Sequence, residues 1–152
     1  MIRIIAIGKK HEKWISEGVY QFEKRLKKPF NIKWEIINSS NHIDKDLTKD
    51  EETTKIITLL KPEDFVILLD ERGKNISSVE LATVINEQFN SSNNIVFIIG
   101  GAFGVSDHLF SRANFILSFS KLVFPHQLVR LMITEQIYRS QNILEGGKYH
   151  HL

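Results

Sequence analysis

Ile95-Val96-Phe97-Ile98-Ile99 runs straight into Gly100-Gly101-Ala102-Phe103-Gly104. Five consecutive apolar residues closed by glycine predict a short strand covered on both faces. Phe65-Val66-Ile67-Leu68-Leu69 upstream and Phe115-Ile116-Leu117 downstream repeat the pattern. Between the first two strands, Ser77 and Glu80 have the spacing of a capping box for a helix running to about Phe89. Between the last two, Ser106 can cap a short helix near Leu109. Strands that alternate with helices predict one α/β sheet, mostly parallel, with helices on both faces.

The flanks extend the alternation. Ile2–Ile7 is a short apolar strand ending at Gly8. Ile15, Val19, Phe22 and Leu26 then mark one face of a helix spanning residues 12–28, with Pro29 after its end. Ile32, Trp34 and Ile36 alternate with Lys33 and Glu35, as in a strand buried on one side. Residues 47–60 read as a polar helix, and residues 126–144 as a last helix closed by Gly146-Gly147. No repeat or linker interrupts the chain, so residues 1–152 are expected to be a single domain. Parallel sheets of this kind bind ligands beyond the carboxyl ends of their strands. That directs attention to three predicted loops: Asp70–Asn75, Gly100–Ser106 and Ser118–Pro125.

Composition narrows the chemistry. The chain has 152 residues, a net charge of +2 and no cysteine. A disulfide scaffold, a thiolate nucleophile and a thiolate-held metal are therefore excluded. No apolar run reaches the length of a membrane span, and the opening MIRIIAIGKK lacks the layout of a cleavable signal peptide, so a cytoplasmic location without membrane partners is expected. The small net charge hides a gradient: residues 1–30 carry net +5, residues 31–100 net −5 and residues 101–152 net +2. Two basic ends suit an anionic partner such as nucleic acid, although scatter over solvated helix faces produces the same numbers.

Each of the motifs has two readings. The Gly100–Gly104 loop has neither the lysine of a phosphate loop nor the spacing of a dinucleotide loop. It is a tight strand-to-helix turn or a place where the backbone meets a ligand. Ser118-Phe119-Ser120-Lys121-Leu122-Val123-Phe124-Pro125 is unusually apolar for a loop. It packs under the chain or a second subunit, or forms an apolar ligand face. The last helix is apolar almost all round, which implies burial on more than one side and a two-fold dimer. His126 and Arg130, four residues apart, would place two cations together, a pair that needs an acidic neighbour or an anionic ligand. Glu135 and Arg139 have ion-pair spacing. The tail Lys148-Tyr149-His150-His151 is a frayed end or a set of substrate contacts. No histidine spacing suggests a metal site.

Together these segments resemble the RlmH family, the ribosomal RNA large-subunit methyltransferase H enzymes of the SPOUT superfamily. The resemblance is carried by Ile99-Gly100-Gly101, Ser118-Phe119-Ser120-Lys121, Phe124-Pro125-His126-Gln127-Leu128-Val129-Arg130, Glu135-Gln136-Ile137-Tyr138-Arg139 and Tyr149-His150. Ile4–Lys9 and Leu68-Leu69-Asp70 also fit, so it extends over the whole chain. It implies an α/β fold with a C-terminal trefoil knot, a homodimer, and S-adenosylmethionine-dependent methylation of N3 of a pseudouridine in 23S rRNA of the assembled 70S ribosome. A ribosome-associated RNA-binding protein without enzymatic activity is the alternative on the same fold.

The family's cofactor contacts fall on Leu69, Gly100, Phe119, Ser120, Lys121, Leu122, Val123 and Phe124. For transfer, Tyr149 and His150 are expected to position the substrate. Arg130 and Arg139 are expected to stabilise phosphate or the anionic base, and His126 is a candidate proton acceptor. Lys24, Arg25, Lys27 and Lys28 are candidates for the rRNA backbone.

Overall fold

The computed structural model describes residues 1–151. Five strands form one sheet: β1 (Ile2–Ile7), β2 (Ile32–Ile37), β3 (Asp64–Lys74), β4 (Asn94–Ile99) and β5 (Phe115–Leu117). Their spatial order is β2-β1-β4-β3-β5, and every pairing is parallel. Five helices connect and cover them: α1 (Lys13–Glu23), α2 (Lys45–Thr58), α3 (Ser78–Asn90), α4 (Asp107–Arg112) and α5 (His126–Leu144).

The apolar runs are buried on both faces, as their lack of alternation requires. Ile2, Ile4, Ile67, Ile95 and Phe97 point to one core, which is closed by α3 and α5 through Leu81, Ile85, Ile133 and Ile137. Ile5, Val66, Leu68, Val96 and Ile98 point to the other, closed by Ile56 of α2 and Leu109 of α4. Each fully buried isoleucine or leucine contributes roughly 1.5–3 kcal/mol. β4 sits in the middle of the sheet and carries its longest buried run.

Several boundaries differ from the sequence expectation. α1 stops at Glu23 rather than running to Lys28. Buried Gln141 of α5 takes the backbone groups there: its Oε1 accepts from Lys27 N at 2.7 Å and its Nε2 donates to Arg25 O at 3.0 Å. α2 starts at Lys45, before Leu47, because Asp44 caps it by accepting from the Asp46 and Leu47 amides. The segment Asp70–Asn75 is not a loop for most of its length. β3 continues to Lys74 through an irregularity after Leu69 and pairs Lys74 with Leu117. α3 has its full capping box, whereas the Ser106 side chain makes no cap bond to α4. At the end of α5, Gly146 has φ +70° and its amide meets Ile143 O, while the Gly147 amide meets Asn142 O. This is the double bond of a glycine-closed helix end.

Candidate active site

The carboxyl ends of β3, β4 and β5 open into a cavity of about 480 Å³. Leu69, Gly100, Phe119, Ser120, Leu122, Val123 and Phe124 line it, whereas Lys121 does not, so the segments the sequence separates come together. Gly101–Gly104 is a closed turn, the Gly104 amide donating to Gly101 O at 3.0 Å with φ +81° at Gly104. Packing leaves little room for a side chain at Gly100, just before the turn, and at Gly101, its first residue. A Cβ on Gly100 would lie 2.7 Å from Val105, and one on Gly101 would lie 2.6 Å from the Glu52 carboxylate.

The 118–125 loop holds its own shape. The Ser118 hydroxyl donates to Ser120 O, the Ser120 hydroxyl accepts from the Leu122 amide, and Asn75 Nδ2 donates to Ser118 O. Phe119 packs on the core and Phe124 is half-buried. Leu122 and Val123, by contrast, are 70% and 76% exposed at the cavity mouth. The chain itself covers only half of this apolar loop. Another part of the wall is charged: Lys49 of α2 and Asp70, Glu71 and Arg72 of β3.

His126 lines the cavity at the first residue of α5. Burial, and then the neighbouring Arg130 charge, hold its imidazole below the ordinary value, so it is neutral at pH 7. Arg130 itself is only 1% exposed. Its Nη1 donates to Lys9 O at 2.8 Å and faces His11 Nδ1 at 3.2 Å, while its Nε has no partner among the described residues. Burial lowers its pKa, partly offset by Glu12. Arg130 thus stands behind the cavity wall. It fixes the loop after β1 through the bond to Lys9 O and is not among the side chains that line the cavity.

The chain matches the family model described as "Predicted SPOUT methyltransferase" over residues 1–150. It is 41% identical to the ribosomal RNA large subunit methyltransferase H of Caldicellulosiruptor bescii, with 99% of each chain covered. It is 40% identical to the Clostridium botulinum protein of the same name, with 98% of each covered. Among solved structures, a probable methylase family protein from Haemophilus influenzae superposes with a TM-score of 0.55 at 11% identity, covering 99% of this chain and 70% of that one. That likeness concerns the fold.

The chain belongs to the SPOUT methyltransferase family.

For a SPOUT chain, the placement of the remaining candidates is informative. Tyr149, His150, Arg139 and Glu135 form one cluster. Glu135 Oε1 accepts from Arg139 Nε at 2.9 Å and from the Tyr149 hydroxyl at 3.0 Å. Burial, then that bond to Glu135, raises the Tyr149 pKa, so the phenol keeps its proton. Arg139 Nη1 lies 3.0 Å from His150 Nδ1. A guanidinium only donates, so Nδ1 accepts and the ring's N–H is on Nε2. Arg139 comes thirteen residues after His126 on the same helix. Val129 also lines the cavity, so at ~1.5 Å per residue Glu135 and Arg139 stand ~9–15 Å from it along α5.

The basic group Lys24–Lys28 lies beside this cluster, not beside the cavity. The Arg25 guanidinium stacks over Tyr138, whose ring meets Tyr149 edge-on. Two features escaped the sequence reading. One is Lys49 of α2, which joins Asp70, Glu71 and Arg72 of the expected Asp70–Asn75 segment at the cavity. The other is His11, held by an arginine more than a hundred positions away. Among the described residues, no helix is long and apolar enough to cross a membrane, and no group of three or more acidic or histidine side chains could hold a metal.

Proposed function

We propose that this protein is a cytoplasmic, S-adenosylmethionine-dependent rRNA methyltransferase that acts as a homodimer on N3 of a pseudouridine in 23S rRNA of the 70S ribosome. The observation that carries the reading is the half-apolar, half-charged cavity at the sheet's carboxyl edge, in a chain whose relatives are named ribosomal RNA large subunit methyltransferase H. The residues fit the cofactor. Leu69, Phe119 and Phe124 offer apolar surface to adenine, the backbone of the self-stapled 118–125 loop offers polar groups to its edge, and the glycine turn closes one side. When bound, the cofactor supplies an electrophilic methyl group on its sulfonium.

The protein's task is then to align the ring nitrogen and remove its proton. His126 borders the cavity and is neutral at pH 7, so a ring nitrogen can take the N3 proton. Tyr149 and Arg139 remain protonated, and His150 offers Nε2–H. These groups are donors suited to pyrimidine oxygens and phosphate. In one chain the helix residues that hold them stand ~9–15 Å along α5 from cavity-lining Val129. They serve transfer when a second copy, related by a two-fold axis, brings its tail to this cavity. Lys24–Lys28 then arrive with it, next to the RNA. The C-terminal knot belongs to the same proposal: α5 returns from edge strand β5 to pack against α1 and α3.

The test is transfer of a labelled methyl group to intact 70S ribosomes, free subunits and naked rRNA, with the modified nucleotide identified by mass. Transfer to 70S particles at a pseudouridine N3 is expected. RNA binding without transfer to any of the three substrates would instead make this a binding protein on a SPOUT fold.

A further inference from the structure

The charged half of the cavity wall is unexplained by the contacts above. Asp70 is half-buried where β3 becomes irregular. Its Oδ1 accepts from the Arg72 amide and from Arg72 Nε, both at 2.9 Å, and its Oδ2 accepts from Nη2 at 3.1 Å. Burial works to raise the Asp70 pKa, but the Arg72 bonds and charge outweigh it and hold the carboxylate ionised. The Arg72 guanidinium lies over the Phe110 ring, 4.3 Å from its centroid. Two of its nitrogens are locked by Asp70. Nη1 has no protein partner among the described residues, and the side chain is 61% exposed. Lys49 reaches the same cavity from α2, engaged only by a loose 3.6 Å contact to Asp46.

The sign pattern is decisive. With Glu71, the wall carries two cations and two carboxylates. A phosphate site would be net positive. A balanced, preorganised pair of opposite charges beside an apolar floor fits a ligand that is flat and apolar at one end and zwitterionic at the other. We propose that Lys49, Asp70 and Arg72 form the subsite for the α-amino-acid end of the S-adenosyl cofactor. This rests on the cofactor reading of the previous section. Asp70 receives the α-ammonium, while Arg72 Nη1 and Lys49 donate to the α-carboxylate. The Asp70–Arg72 lock means little side-chain freedom is lost on binding.

The test compares two ligands that differ in this end alone: S-adenosylhomocysteine, which has the amino acid, and 5′-methylthioadenosine, which lacks it. Both are titrated calorimetrically into the wild type, Arg72→Ala and Lys49→Ala. The expected result is that the wild type prefers S-adenosylhomocysteine. Each variant then loses about tenfold for it, the size of one charge-assisted hydrogen bond, while keeping its affinity for methylthioadenosine. The retained ligand also reports an intact fold, and Lys49→Ala tests the idea without disturbing β3. Equal weakening of both ligands would make the wall a shaping element and overturn the proposal. So would unchanged cofactor affinity with reduced rRNA methylation, which would assign the wall to RNA. A wild type that binds neither ligand would refute the cofactor reading itself.

Discussion

Gly73 shows how a single residue frames this site. It lies inside a strand, where propensity favours replacing glycine. Yet a Cβ there would sit 2.5 Å from the Ile116 carbonyl oxygen on the neighbouring strand, and backbone cannot yield cheaply. Gly73→Ala is therefore expected to destabilise by about 1–3 kcal/mol, as overpacking does. A propensity argument alone gives the opposite sign, so the shift of a urea midpoint decides between them. Histidine makes a second residue-scale prediction. His126 and His11 are both held below 6.5, first by burial and then by Arg130. The unfolded chain takes up protons first as pH falls. The stability associated with these neutral rings is full above 6.5, then drops toward their lower folded values. The melting temperature should begin to fall as pH drops through 6.5, and less steeply in His126→Asn. An identical slope would show that His126 does not contribute. The sequence could place His126 beside the cavity through the helix start it occupies. The burial of Arg130 was not legible, because its partners lie on β1's loop.

At the scale of elements, local chemistry was readable wherever an element closes on itself. The capping box of α3 is an example, and it differs testably from the bare start of α4. Ser77→Ala removes the bond accepted from the Glu80 amide and should cost about 1 kcal/mol. Ser106→Ala removes no cap bond and should stay within about 0.5 kcal/mol. Equal losses in a denaturation series would mean the Ser106 hydroxyl does something the geometry does not contain. The elements misjudged from sequence are those settled by distant partners. Leu26 continues the periodicity of α1, but Gln141 claims the backbone at Arg25 and Lys27 and stops the helix. Asp70-Glu71-Arg72-Gly73 has the composition of a turn, and only the presence of β5 makes its end a paired strand. The segment was legible as a ligand-facing one, but not as a strand that fixes Asp70 and Arg72 over the cavity.

At the scale of the molecule, the charge gradient takes a spatial form. The basic Lys24–Lys28 group and the Tyr149–His150 tail share the amino edge of the sheet, while the cavity occupies the carboxyl edge. A chain whose proposed transfer groups are tied to helix positions ~9–15 Å from its own cavity does not join them without a second copy or a rearrangement of the tail. Mixed dimers separate the two. One chain is truncated after Gly147, leaving its cavity intact; the other carries Gly100→Val, which drives a side chain into Val105 and deforms the cavity wall. Each homodimer should be inactive for transfer. In a dimer of the two, the truncated chain's cavity faces an intact tail, so one of its two sites is complete. Random mixing makes about half the dimers mixed, and recovered activity should approach a quarter of the wild type. If the tail instead folds back onto its own cavity, the mixture stays inactive, because no chain then carries both a sound cavity and a tail. Full activity in the truncated homodimer would remove the tail from the reaction altogether and leave His126 as the transfer group the cavity retains.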